Sequence, residues 1–176
     1  MSEPDLRYPI GKHSPVSSLS AGERAACIEQ IAAAPVNFRR AVAGLTDAQL
    51  DTPYRTGGWT VRQVAHHLPD SHMNAYIRFK LGLTEDAPAI KTYEEKDWAK
   101  TPDTRAPIGM SLDLLTALHE RWIALLRGMT AADFSRTIQH PEWGKPSLDA
   151  LLALYAWHGR HHTAHVTALR DRMGWK

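Results

Sequence analysis

Trp157-His158-Gly159-Arg160-His161-His162-Thr163-Ala164-His165 places four of the chain's ten histidines within nine residues. Around this stretch Leu148, Leu151, Tyr155 and Leu169 recur at the three-and-four spacing of an amphipathic helix. Continued in the same steps, the apolar stripe runs through Leu148, Leu151, Tyr155, His158, His162, His165 and Leu169, so imidazoles occupy positions that the period assigns to the interior. A buried neutral imidazole must satisfy one donor and one acceptor. Two of them four residues apart rise about 6 Å along one helix face and can close on a single cation. Both 158/162 and 161/165 have this spacing. The stripe favours 158 and 162, with His161 and Arg160 turned to its edge or away. For one such pair, hydrogen-bonded core histidines are the commoner outcome. Here a second helix carries His66, His67 and His72 as well. Burying so many imidazoles without partners would cost on the order of a kilocalorie or more each, which shifts the balance towards metal.

Working outward, Ser147 caps this last helix, which runs to about Met173. Upstream, Arg136-Thr137-Ile138-Gln139 can pair as a short strand, followed by the turn-like His140-Pro141-Glu142-Trp143-Gly144. Ser111 reads as the cap of a helix carrying Leu112, Leu115, Leu118, Trp122 and Leu125, with Gly128 as its stop. Residues 83–110 form a long connection with one helical turn around Glu94 to Lys100. Thr60 and Gln63 form a capping box opening a helix over Val61, Val64, Leu68, Ala75 and Phe79. Pro69 lies inside that helix, so a kink is expected beside the histidines. Thr46 and Gln49 cap a short turn, and Ser20 with Glu23 opens a first long helix, which Pro35 either kinks or divides. Residues 1–19, punctuated by Pro4, Pro9, Gly11 and Pro15, are an extended arm. Four long amphipathic helices and a hairpin-like connection before the last give a mainly all-α, up-down four-helix bundle, in which facing side chains build metal sites.

The 176 residues suit one domain, 1–176 with the arm included. A formal net charge of +2 is too balanced for a nucleic-acid or other polyanionic partner. The single Cys27 excludes an intramolecular disulfide and a thiolate-rich zinc site, so any metal is held by nitrogen and oxygen. The N-terminus lacks the apolar core of a secretion signal, and no stretch reaches the roughly 18 apolar residues of a membrane span. The expectation is a cytoplasmic protein with a small-molecule substrate.

Periodicity leaves the third ligand open between His72 and His67, and favours His72. A wheel centred on Val61, Val64, Leu68 and Phe79 puts His72 near the middle of the buried face and His67 about 120° away. Asp70, one turn from His67, is a candidate base or imidazole-orienting group, although an exposed helix carboxylate is the commoner case. Glu142 and Trp143 can wall a pocket. Trp59, Trp122 and Trp157 are read as core or interface packing, and His13, His119 and His140 as surface residues.

The run from Pro53-Tyr54-Arg55-Thr56-Gly57-Gly58-Trp59-Thr60 through His66-His67-Leu68-Pro69-Asp70-Ser71-His72, together with Tyr155-Ala156-Trp157-His158-Gly159-Arg160-His161-His162, resembles the DinB/YfiT superfamily of metal-binding four-helix bundles. The arm Tyr8-Pro9-Ile10-Gly11-Lys12 is similar to the start of its YfiT branch. The resemblance implies three metal ligands: the histidine before Leu-x-Asp on the second long helix, which is His67, and the first and fifth residues of the H-x-x-H-H segment, His158 and His162. His165 stands where many members carry Gln. Three imidazoles leave an open position for water or substrate, the catalytic arrangement. Zinc and nickel both suit nitrogen ligands. Such a cation can lower the pKa of a bound water to about 7 or ionise a thiol. The resemblance therefore implies a metal-dependent hydrolase first. A bacillithiol-type thiol S-transferase, a thiol-dependent isomerase and a non-enzymatic metal-stabilised domain are the alternatives, and a homodimer is the implied assembly.

Overall fold

The protein, described as a computed structural model over residues 5–176, contains four long helices. The first four residues of the arm, Pro4 among them, lie outside the described part. Helix α1 spans Ala21–Val42, α3 Val61–Thr84, α5 Gly109–Arg127 and α7 Leu148–Met173. Short turns α2 (Asp47–Leu50), α4 (Glu95–Trp98) and α6 (Ala131–Ser135), and a 3-10 turn at Pro102–Arg105, punctuate the connections.

Capping chemistry sets most boundaries. Reciprocal capping boxes open α1 (Ser20/Glu23), α2 (Thr46/Gln49) and α3 (Thr60/Gln63), and Ser147 caps α7 by accepting from the Ala150 N–H. Gly174 closes α7 in the left-handed conformation, φ 65°. One expected boundary changes. Helix α5 begins two residues before Ser111, from an Ile108 cap that offers no side-chain acceptor; the Ser111 hydroxyl is instead 2.7 Å from His66 Nδ1. Neither Pro35 nor Pro69 interrupts its helix.

Helix α1 packs against α5 and α7, and α3 against the same two, so the order round the bundle is α1, α5, α3, α7. Two of the three connections between successive long helices therefore cross a diagonal. Close approach of α1 and α7 depends on Gly159, where an added Cβ would lie 3.0 Å from the Ala34 Cβ. Before α7 the chain makes isolated antiparallel bridges, Thr137 with Ser147 and His140 with Gly144, which is the expected hairpin-like connection without a strand.

The core is in two apolar parts. Ile31, Phe79, Trp122, Leu126, Leu148 and Leu152 belong to one. Phe38, Val61, Leu68, Leu115, Val166 and Leu169 belong to the other. In sequence, His72 on α3, His119 on α5 and the four histidines of α7 fall between the members of the two clusters. A polar layer thus crosses the bundle at mid-height, where an all-apolar core would have been the cheaper solution.

The arm runs along α7. Leu19 N–H donates to the buried Asp149, which also receives a bidentate pair from Arg24 at 2.7 Å. The Ser147 hydroxyl donates to the Ser17 carbonyl and the Trp157 indole to that of Gly11. His165 Nε2 meets the Arg7 carbonyl at 3.1 Å. These bonds hold the arm over the histidine end of α7. No helix among the described residues is long and apolar enough to cross a membrane.

Candidate metal centre

Ligand atoms of His67, on α3, and of His158 and His162, on α7, all lie within 4.8 Å of one another. His158 and His162 share a face because they are one turn apart. Trp59, in the loop leading into α3, leans on the His67 ring at 4.6 Å between centroids. Burial depresses the basicity of all three: His67 is pushed down to about 4, and His158 and His162, which are further disfavoured as cations by the imidazoles around them, lie well below the usual range. The rings are therefore neutral at pH 7, with lone pairs available to a cation.

Hydrogen bonding separates these histidines from His66, His72 and His119, but not from their neighbours on α7, since His161 Nδ1 and His165 Nδ1 are also buried without a partner among the described residues. Among the described residues His67 has no hydrogen-bond partner at either ring nitrogen, and His162 Nδ1 is buried without one. His72, wholly buried, is bonded at both nitrogens: Nδ1 is 2.7 Å from His119 Nε2, and Nε2 is 3.0 Å from His158 Nδ1. His119 Nδ1 in turn lies 2.8 Å from the Ile31 carbonyl. A carbonyl only accepts, so His119 Nδ1 carries its proton. Neutral His119 then accepts at Nε2 from His72 Nδ1, and neutral His72 accepts at Nε2 from His158 Nδ1. The sequence of bonds ends by leaving His158 Nε2 bare. One backbone carbonyl of α1 thus fixes the tautomer of a candidate ligand through two intervening imidazoles, the usual way a ligating histidine is oriented.

His66 faces elsewhere, towards Ser111 and the Ala106 carbonyl. His161 is buried rather than at an edge, because it stacks on Trp157 with centroids 4.1 Å apart while Tyr8 of the arm covers it. His165 stacks on Tyr54 at 3.9 Å. Arg160 is exposed on another side and donates to the Ala156 carbonyl, so it does not face the cluster. Asp70 is half-buried, and burial with nearby Asp103 raises its carboxyl to about 6. It lines neither cavity at the cluster and bonds to none of the three histidines.

Two cavities meet at His158. One, about 520 Å³, is the mouth over His67, His158 and His162, walled by Trp59, Tyr54 and the arm residue Tyr8. The other, also about 520 Å³, extends along Tyr155 towards Tyr93, His140 and Trp143. Glu142 and Trp143 do wall a pocket, therefore, and His158 opens on both spaces.

His119 and His140, expected at the surface, are 2% and 4% exposed. For His119 a signal existed: Leu112, Leu115, His119, Trp122 and Leu126, all buried, form a clean three-and-four stripe, whereas Leu118 and Leu125 are only half-buried. Nothing in the sequence marked His140, which a loop buries by stacking it on Trp143 at 3.7 Å.

A four-helix bundle with a three-imidazole cluster between its second and fourth long helices defines a class, and the chain belongs to it: it is a member of the DinB superfamily, whose family model matches residues 30–166. Among its relatives, a Bacillus mycoides protein named "putative metal-dependent hydrolase" is 52% identical over 171 residues, covering 97% of this chain and 99% of that one. A Bacillus thuringiensis subsp. konkukian protein with the same designation is 51% identical at the same coverage. The solved structure of YfiT from Bacillus subtilis, described as a probable metal-dependent hydrolase with an unusual four-helix bundle topology, superposes with a TM-score of 0.94 at 51% identity over 97% of this chain and 99% of that one. TT2238, a four-helix bundle protein, shares the fold at 18% identity, with a TM-score of 0.56 over 84% of this chain and 98% of its own.

Proposed function

We propose that His67, His158 and His162 hold one divalent cation, zinc or nickel, and that the protein is a metal-dependent hydrolase of a small molecule. The observation that carries this is the convergence of three neutral imidazoles within 4.8 Å, two of them without a protein partner for a buried or inward nitrogen. Close relatives that bear the hydrolase designation support the reading. When bound, a cation held by three nitrogens supplies Lewis acidity and an open coordination position.

The chain's own residues do the rest. The carbonyl of Ile31, through His119 and His72, aims His158 Nε2 into the cluster. Trp59 and the arm limit the access of bulk water to the mouth, which strengthens electrostatic interactions inside it. Because His158 opens on two cavities, the site has room for substrate on either side, which disfavours a closed staple between helices. A homodimer in the cytoplasm is the setting that the family resemblance supports.

Metal-loaded protein is to be incubated with panels of esters and amides, and separately with an electrophile and small thiols including bacillithiol. The expected result is hydrolysis that needs metal and no thiol, lost in His162→Ala. Conjugate formation in the thiol panel alone would replace the hydrolase by a thiol S-transferase or isomerase.

A further inference from the structure

Helix α3 carries a second cation-like feature that the three-histidine site does not use. Arg78 is 6% exposed, in the last two turns of the helix. Its guanidinium makes one protein hydrogen bond, Nη1–H to the Tyr155 hydroxyl at 3.3 Å. Among the described residues no carboxylate lies within ion-pair distance of it. Most other arginines that reach into the protein differ, although half-buried Arg55 also has no carboxylate partner and a buried Nε without an acceptor among the described residues. Arg62 is held by Asp51 and Asp47, and Arg24 by Asp149. Arg136 and Arg170 each donate to two carbonyls. An unpaired buried charge is destabilising by several kcal/mol as an order of magnitude, and a guanidinium with four donors to spare is built for a planar oxyanion.

Those donors face the cavity that extends from His158, whose wall includes Arg78, Ser71, Tyr93 and Tyr155. Tyr93 Oη is buried there beside the Ser71 hydroxyl and makes no well-formed hydrogen bond among the described residues, a second group able to meet an acceptor. His140 adds a third: its Nδ1 accepts the Glu142 N–H at 3.2 Å, which leaves the ring proton on Nε2. Glu95 and Glu142 stand at the same cavity and neither lies within ion-pair distance of the guanidinium, although Arg78 is near enough to Glu95 to lower its carboxyl against the burial that raises it.

Register ties this pocket to the histidines. His67, Ser71 and Arg78 fall at i, i+4 and i+11, which is one face of α3, and eleven residues rise about 16 Å. Side chains lean towards the helix N-terminus, so the guanidinium leans towards His67. On α7, Tyr155 sits one turn before His158, with ring centroids 5.7 Å apart.

We infer that Arg78, with the Tyr93 and Tyr155 hydroxyls, is a recognition subsite for an oxyanionic group, carboxylate or phosphate, of the substrate whose reacting end lies at His67, His158 and His162. The substrate is thus an anion with its charge remote from the bond that is cut. This rests on the hydrolase reading for the reacting end alone; the anion subsite can be tested without it.

The first arm measures the melting temperature of purified full-length protein in sodium acetate and in sodium phosphate against sodium chloride at equal ionic strength. Wild type and His162→Ala are expected to melt higher in one of the two oxyanions, and the better anion names the source. Arg78→Met should show no such shift. It should itself melt higher than wild type in chloride, because it removes an unpaired buried charge. Arg78→Lys keeps the charge but not the fork, and should retain a weaker shift. In the second arm, metal-loaded wild type should hydrolyse esters bearing a remote carboxylate or phosphate with a kcat/KM about 10- to 100-fold above their neutral analogues, the value of hydrogen bonds to a charged group. Arg78→Met should erase that preference, bringing kcat/KM for the anionic esters down to that for their neutral analogues. No oxyanion shift in wild type, or an equal shift in Arg78→Met, overturns the subsite. Oxyanion shifts as expected with no ester hydrolysed overturn the hydrolase reading and leave the subsite standing.

Discussion

His72 and His67 lie five residues apart on one helix and are both buried, at 0% and 5% exposure, yet only one of them is chemically satisfied. His72 is bonded to protein at both ring nitrogens; His67 is bonded at neither. The same contrast separates His119, anchored to a backbone carbonyl, from His162, whose Nδ1 is buried and unpartnered. Burial therefore does not distinguish a structural histidine from a ligand. An unpaired ring nitrogen, which costs about 1–3 kcal/mol when buried, narrows the choice but is shared by His161 and His165; it is the convergence of ligand atoms from His67, His158 and His162 that completes the distinction.

The largest effect that would sharpen this contrast is on metal content. His67→Ala, His158→Ala and His162→Ala should each drop bound divalent metal from about one per chain to background by elemental analysis, with the helical signal in circular dichroism retained. His161→Ala should keep most of it. If His161→Ala and His165→Ala prove the damaging pair, the contrast has been drawn between the wrong histidines.

One step weaker are His72→Leu and His119→Leu. They touch no candidate ligand atom, but they free the His158 ring, and metal affinity measured by chelator competition should fall about 10- to 100-fold. Unfolding should be easier by about 1–3 kcal/mol, since a partner in the relay is stranded. Unchanged affinity in both variants would reduce the relay to packing.

Acid supplies a third test, on the metal-free protein. Burial holds His119 and His67 at about 4 in the fold, against about 6.5 when unfolded. Between those values the unfolded chain binds protons that the native state does not, so the histidine contribution is whole above pH 6.5 and is lost as pH falls towards 4. The slope is at most about 1.4 kcal/mol per pH unit for each such group. Denaturant titrations across that window would check it; stability flat from pH 7 to 4.5 would mean that the layer is already hydrated or charged.

The smallest effect is expected at the histidine that faces away. Ser111→Ala removes the 2.7 Å partner of His66 and should cost about 0.5–1.5 kcal/mol with no change in metal content.

Much of this arrangement was legible in the chain. Capping boxes at Ser20, Thr46 and Thr60, and the stripe through Tyr155, His158 and His162, depend on local chemistry and period, which a sequence displays directly. The stripe favours 158/162 over 161/165 by putting His161 at an edge, where the structure instead buries it as deeply as His162; on period alone His72 precedes His67, and only the family resemblance points to the latter. The physical reason is visible in the packing. A wheel locates the centre of the bundle, and the centre is where His72 meets α5 and α7; the cluster sits to one side, under Trp59 and the arm. Arg78 was silent for a different cause, since an arginine in an amphipathic helix reads as solvated until the loop carrying Tyr93 and the turn at His140 are seen to fold over it. His140 and His161 are buried by such long-range covering too, which no period encodes.

The most direct measurement is anomalous diffraction from crystals grown with nickel or zinc, at the absorption edge of the metal. The account predicts one strong peak per chain within coordination distance of His67, His158 and His162, with His158 ligating through Nε2 and His72 still bonded to its Nδ1. A peak bound by His72, or by His161 and His165, with His67 free, would contradict it.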